Sequence, residues 1–179
     1  VIVWVDDCLF FCHDGAKIDA VIADLATDFD LTVEETAQDD VFGFLGVEVV
    51  PDVATGQLTL KQTGLIAKIL KTTGMEDCNA KATPANTTAL RSDLAGAPHD
   101  TEWEYASVMG MLTYLASNSR PDIQFAVHQC ARFIHHPKTS HTDAVLRICR
   151  YLQGTRDKGL VFRPDPAMRL DCYVDADFC

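Results

Sequence analysis

Residues 1–14, VIVWVDDCLFFCHD, place two apolar runs, rich in β-branched and aromatic residues, on either side of Asp6 and Asp7. Such runs are too apolar for an exposed helix and predict a tight hairpin with the acids at its tip. Asp-Asp is a poor choice for that turn, where Asn-Gly or Asp-Gly would relieve the backbone. A local rule broken in this way marks a candidate site. Residues 16–29 then carry Ile18, Val21, Ile22, Leu25 and Phe29 on one helical stripe, with Asp19, Asp24 and Asp28 outside it. Residues 31–36 read as a short strand, and 41–50, VFGFLGVEVV, as a longer one in which Gly43 and Gly46 allow a bulge or a close approach. Pro51 to Gly56 is turn chemistry, and Leu58 to Lys61 is the returning strand.

The second part of the chain turns to helical periodicity. Leu65 to Thr73 reads as a helix with Leu65, Ile66, Ile69 and Leu70 inside and Gly74 just past its end. Residues 76–100 have the weakest periodicity, with Pro84, Gly96 and Pro98 among small polar residues, and read as a long connection between two lobes. Three helices are expected after it. Glu102 to Ser117 buries Tyr105, Val108, Met109, Leu112 and Leu115; Pro121 opens the next, running to about His135; His141 to Gln153 buries Val145, Leu146, Cys149 and Leu152. Leu160 to Arg163 and Leu170 to Phe178 read as strands.

The composition, 47% hydrophobic and 23% charged over 179 residues, is that of a globular chain long enough to bury a core. It excludes a wholly disordered, collagenous or coiled-coil protein. No apolar run reaches the roughly 18 residues of a membrane helix, and no basic region precedes the first run as in a signal peptide. The apolar start at Val1 and the strand-like ending at Cys179 suggest a piece of a longer chain. Seven scattered cysteines without a CxxC pair fit a reduced, intracellular protein, with Cys8 and Cys12 as buried small hydrophobes.

Net charge is −11, which argues against nucleic-acid binding until its distribution is read. Residues 1–60 hold thirteen acids and one base, Lys17; residues 61–179 hold thirteen acids and fourteen bases. Within 120–169 the balance is +5, and the bases include Arg120, Arg132, Lys138, Arg147 and Arg150. That stretch is either a solvated helical surface or a face for a nucleic-acid backbone. Arg120, just before Pro121, is either a phosphate contact or half of a helix-turn ion pair. Trp103 and Tyr105 read as helix packing, with base stacking as the alternative. His128, His135, His136 and His141 cluster without a zinc spacing. No phosphate-binding glycine loop occurs.

Asp6 and Asp7 are the sharpest candidates for chemistry. Adjacent carboxylates repel, and a cation beside them removes that cost. Hard Mg²⁺ takes carboxylate oxygens and needs few protein ligands. The competing reading is an ordinary solvated turn.

The ordered set of motifs adds a family. Val3-Trp4-Val5-Asp6-Asp7 between two apolar strands resembles the Y-x-D-D motif of reverse transcriptases, in the V-D-D form of copia/Ty-type retrotransposon polyproteins. Phe44 to Val49, Leu58 to Met75, Lys81 to Pro84, Tyr105 to Leu115, Arg120 to Ile123 and His141 to Gly154 resemble further segments of that family in the same order. Tyr173-Val174-Asp175-Ala176-Asp177 resembles the opening strand of its ribonuclease H domain.

The resemblance implies an α+β fragment. Residues 1–62 would be the end of a polymerase palm with its acidic hairpin, 63–100 a thumb-like helix and linker, 101–158 a helical connection, and 159–179 the first strands of a truncated ribonuclease H domain. It implies that Asp6, Asp7 and Asp175 are catalytic metal ligands for Mg²⁺ in two-metal sites. Arg120, Arg132, Lys138, Arg147 and Arg150 would contact an RNA/DNA template–primer. Deoxynucleotides and the remainder of the polyprotein would be the other partners, with no membrane involved. The setting would be a cytoplasmic virus-like particle or the nucleus. The family's first polymerase acid and its remaining ribonuclease H acids have no match here, so the fragment alone is expected to be inactive. Trp4 stands where the family has Tyr and lacks its hydroxyl. The alternative is a non-catalytic remnant or co-opted nucleic-acid-binding module. A palm-like nucleotide cyclase shares the hairpin but leaves 102–179 unexplained.

Overall fold

The computed structural model describes residues 1–12, 14–33, 42–52, 54–165 and 172. It is a mixed α and β structure, 39% helix and 15% strand among the described residues. Strands β1 (Ile2–Trp4) and β2 (Asp7–Leu9) form an antiparallel hairpin. Helix α1 (Gly15–Leu25) follows, its start fixed by Asp14, whose Oδ1 accepts from the Ala16 N–H at 3.1 Å. α1 is shorter than its stripe predicts. Residues 26–29 form turns, leaving Phe29 outside the helix and exposed.

A four-stranded antiparallel sheet in the order β3-β4-β5-β6 comes next: β3 (Phe42–Phe44), β4 (Val47–Asp52), β5 (Gln57–Lys61) and β6 (Leu160–Phe162). The single strand expected over 41–50 is therefore a hairpin. Leu45 and Gly46 both have positive φ, 52° and 71°, and turn the chain between Phe44 and Val47. Gly46 thus serves the turn; Gly43 pairs with Glu48, and a Cβ there would meet nothing within 4 Å. β6 pairs with β5, Leu60 opposite Leu160. The strand expected at 170–178 lies outside the described residues apart from Cys172, as do 34–36 of the strand expected at 31–36; residues 31–33 form no strand.

The core is helical. It is made by α2 (Thr63–Thr72), α3 (Tyr105–Asn118), a short 3-10 turn (Pro121–Ile123), α4 (Gln124–Ala131) and α5 (Thr139–Gln153). α3 packs on α2 and α4, and α5 on α2 and α4. Ile66, Ile69, Val108, Met109, Leu112, Leu115, Val145, Ile148 and Leu152 are fully buried in one cluster. Each such side chain contributes about 1.5–3 kcal/mol relative to exposure. Most of the expected inward positions are correct, with Leu65 and Leu146 only partly buried. α4 ends at Ala131 rather than near His135, because 132–136 continue as turns. α2 closes as its glycine predicts: Gly74 has φ 66° and the Met75 N–H donates to the Leu70 carbonyl at 2.8 Å.

Residues 76–104 do not bridge two lobes. They lie as a strap along α5, running opposite to it. The Lys81 N–H donates to the Arg150 carbonyl, and the Thr139 N–H to the Ala97 carbonyl. Gly154 permits the contact, since a Cβ there would come 2.8 Å from the Ala80 Cβ. No helix among the described residues is long and apolar enough to cross a membrane.

Candidate functional site

Register fixes the hairpin: Trp4 lies opposite Asp7 and Ile2 opposite Leu9, which puts these four on one face, with Val3 and Cys8 on the other. The turn is therefore Val5-Asp6, one residue earlier than the acid pair suggests, and Asp7 begins β2. Val5 has φ 55°, an unusual conformation for a β-branched residue, costing about 1–3 kcal/mol. Residues 1–8 are all exposed, Trp4 at 62% and Val5 at 87%. Cys8 and Cys12 are exposed too, against the expectation of burial: among the described residues no element packs a layer over the hairpin. The donor set of Asp6 and Asp7 is carboxylate oxygen, which suits Mg²⁺, an ion that binds through one or two carboxylates and keeps its waters. Among the described residues no group of three or more metal-ligating side chains gathers. Asp175 lies outside the described residues.

The five basic candidates are not brought together as one free surface. Arg120 is 1% exposed, and its guanidinium forks onto Asp122, with Nε to Oδ1 at 2.9 Å and Nη2 to Oδ2 at 2.8 Å. Nη1 donates to the Thr155 carbonyl and Nη2 to Thr155 Oγ1, tying the 3-10 turn to the end of α5. Of its two readings the ion pair describes this geometry. The Tyr151 hydroxyl donates to Asp122 Oδ2 at 2.7 Å. Burial pushes the Asp122 carboxyl up, but the hydrogen bonds from Arg120 and Tyr151 and the Arg120 charge outweigh it, so it sits below the usual carboxylate range.

Arg147 and Arg150 hold the strap. Arg147 Nη2 donates to Thr83 Oγ1 at 2.8 Å, and Arg150 Nε donates to the Asn79 carbonyl at 2.7 Å. Gln153 and Arg156 continue the row to the Glu76 carbonyl. At the other end His141 Nε2 meets the Arg91 carbonyl at 3.1 Å, while its Nδ1 accepts from the Lys138 N–H. Lys138 is thus the N-cap residue of α5. Arg132 is exposed, donates to Gln129 Oε1 and lies over the Phe133 ring at 5.4 Å. Trp103 and Tyr105 are buried and pack with His99, and the Tyr105 hydroxyl donates to the Cys130 carbonyl.

Two positioning groups were not singled out from sequence. Glu48 Oε1 accepts from the Thr63 N–H at 2.8 Å and from the Thr63 hydroxyl, capping α2 from the neighbouring strand because Gln62 makes no cap of its own. The Tyr114 hydroxyl donates to the Leu45 carbonyl and so latches the β3–β4 turn to α3. For Glu48, which the β4–β5 pairing sets opposite Lys61 and so beside the start of α2, the sequence signal was only a helix start without a cap of its own. For Tyr114 there was none, since its partner is a main-chain oxygen.

No protein-family model matches the chain, and no solved structure matches it. Curated relatives do. The retrovirus-related Pol polyprotein from transposon RE1 of Arabidopsis thaliana is 33% identical over 178 residues, covering 99% of this chain. The Pol polyprotein from transposon TNT 1-94 of Nicotiana tabacum is 30% identical over 190 residues. An uncharacterized mitochondrial protein of Arabidopsis thaliana is 28% identical, and the chain covers 71% of it. The chain spans only 12% of the length of the RE1 polyprotein. Over nearly its whole length, then, the chain is similar to one segment of the retrovirus-related Pol polyproteins of transposons.

Proposed function

We propose that the chain is the segment of a retrotransposon RNA-directed DNA polymerase that carries two of its metal-binding acids and leads into its ribonuclease H domain. The observation that carries this reading is the adjacent pair Asp6–Asp7 at a hairpin tip with a strained turn residue, in a chain similar to Pol polyproteins. Strain of this kind persists where function holds a backbone in place. Asp6 and Asp7 would hold Mg²⁺ through their carboxylates. When bound, the ion lowers the pKa of a coordinated hydroxyl and neutralises charge on phosphate oxygens. The chain's own contribution is placement: β1–β2 pairing fixes Asp7 opposite Trp4, and Val5 brings Asp6 to the apex. Trp4 offers a flat apolar neighbour without a hydroxyl. Template–primer and deoxynucleotides are the substrates of the whole polymerase, and Asp175 would serve its ribonuclease H site.

The test is Asp6→Asn in a complete parent polyprotein. Primer extension should fall by several orders of magnitude with folding intact; extension within a few fold of the parent would sink the assignment. The 179-residue chain alone should extend no primer. A second reading, a non-catalytic remnant, is favoured by the mitochondrial relative, most of whose length the chain covers. Retained metal binding by Asp6 and Asp7 without any restorable extension would select it.

A further inference from the structure

With Arg120, Arg147 and Arg150 already engaged within the fold, cations free to meet a phosphate must lie elsewhere. A cleft of about 520 Å³ opens between β5, β6, the 3-10 turn and the end of α5. Lys61 and Lys158 line it, and neither ammonium has a hydrogen-bond or ion-pair partner among the described residues. Its wall is the Arg120–Asp122–Tyr151 network, in which the acid is neutralised by the fork. Asp157 is the remaining acid of the lining and leaves the cleft net positive.

Gly159 builds this arrangement. A Cβ there would sit 2.2 Å from the Leu60 carbonyl oxygen and 2.9 Å from Lys61 Cγ. Only glycine lets the chain after α5 close onto β5, and that closure brings Lys158 to the same cleft as Lys61. Two unpaired like charges gathered by a close backbone approach repel each other unless an anion sits with them. The cleft is open and shallow rather than an enclosed pocket, which suits a strand passing through better than a small molecule being engulfed.

We propose that this cleft binds the phosphodiester backbone of a nucleic-acid strand, with Lys61 and Lys158 on phosphate oxygens. The ligand class rests on the function proposed above; the location does not depend on the acidic hairpin. Contacts of this kind are sequence-independent and fall with salt.

The experiment is a fluorescence-anisotropy titration of a labelled single-stranded oligonucleotide with the 179-residue chain across a salt series. The wild-type chain should bind saturably. Lys61→Gln with Lys158→Gln should weaken binding roughly tenfold or more and flatten the salt slope by about 1.4, ~0.7 for each lost contact. Lys68→Gln with Lys71→Gln, on the outer face of α2, should leave the slope near wild type. Circular dichroism and thermal melts keep a folding defect from passing as a binding loss. Equal losses from both pairs, no loss from the cleft pair, or no saturable binding would each overturn the proposal. So would displacement of the strand by millimolar inorganic phosphate as readily as by unlabelled strand, since that marks a free-phosphate site. In a complete parent enzyme the cleft pair should raise KM for template–primer with kcat kept, whereas Asp6→Asn removes kcat. Failure of one can therefore be told from failure of the other.

Discussion

Trp4 and Leu112 are both large apolar residues in apolar-rich segments, yet Trp4 is 62% exposed and Leu112 is wholly covered. The difference is the partner, not the residue. Leu112 belongs to a block in which α2, α3, α4 and α5 each turn an apolar stripe toward the others. The hairpin and α1 are also rich in apolar residues but have no such neighbour among the described residues: α1 buries no residue, and Val1, Ile2, Val3, Val5, Phe11 and Val21 are all exposed. Periodicity therefore tells which face wants cover; whether the chain itself supplies the cover is a separate fact.

The comparison is broken most severely by striking the covered block at its one ion pair among the described residues, Arg120–Asp122. Asp122→Ala strands a guanidinium that is 1% exposed, and an uncompensated buried charge costs about 3–5 kcal/mol. Urea unfolding should show it as a lower midpoint with unchanged slope. Acid should reach the same end. The folded-state carboxyl lies below its unfolded value, so its contribution is complete above the ordinary carboxylate range and is lost as pH falls through that range to the folded pKa. Stability of the wild type should decline over that window, and Asp122→Ala should decline less. Parallel pH profiles for the two would refute the linkage.

A smaller effect tests how the sheet is joined to the block. Glu48→Ala removes the cap from α2 and should cost about 0.5–2 kcal/mol, read by thermal or urea unfolding, with Glu48→Gln losing less because an amide oxygen can still accept. A neutral result would mean that α2 is held by its buried face alone.

How much of this was legible differs between the two regions. In the block, Ile66, Val108, Leu112 and Leu152 could be placed inside from spacing alone, because a helix presents the same stripe wherever it packs. The β3–β4 turn was not, because Leu45 at positive φ carries no turn signature of its own and only Gly46 hints at it. The strap was misread as a linker for a related reason. Its order comes from main-chain carbonyls received by Arg150, Gln153 and Arg156, and carbonyls have no sequence signature. The same bonds turn Arg150 and Arg156 of the basic stretch toward the chain itself, as the Thr83 contact does Arg147. At the hairpin the acid pair was legible as residues, but its register was one position off, since nothing in the sequence warns of a valine in the turn.

The smallest expected effect addresses the uncovered region directly. Trp4→Ala in the isolated chain should change stability by no more than about 0.5 kcal/mol, the range of surface substitutions away from caps and buried networks. The residue is large and aromatic, and truncating such a side chain in a core costs about 3–5 kcal/mol. The measured value therefore separates two situations that differ several-fold. It is read best by amide hydrogen exchange together with urea unfolding, because a hairpin that opens independently of the block can change without shifting the global midpoint. Slight protection of residues 2–9 in both wild type and variant, beside strong protection of α3, agrees with the exposed hairpin. A loss above about 1 kcal/mol, or hairpin amides protected as well as those of α3, would mean that the chain does cover Trp4 in solution, and the contrast between the two regions would fall.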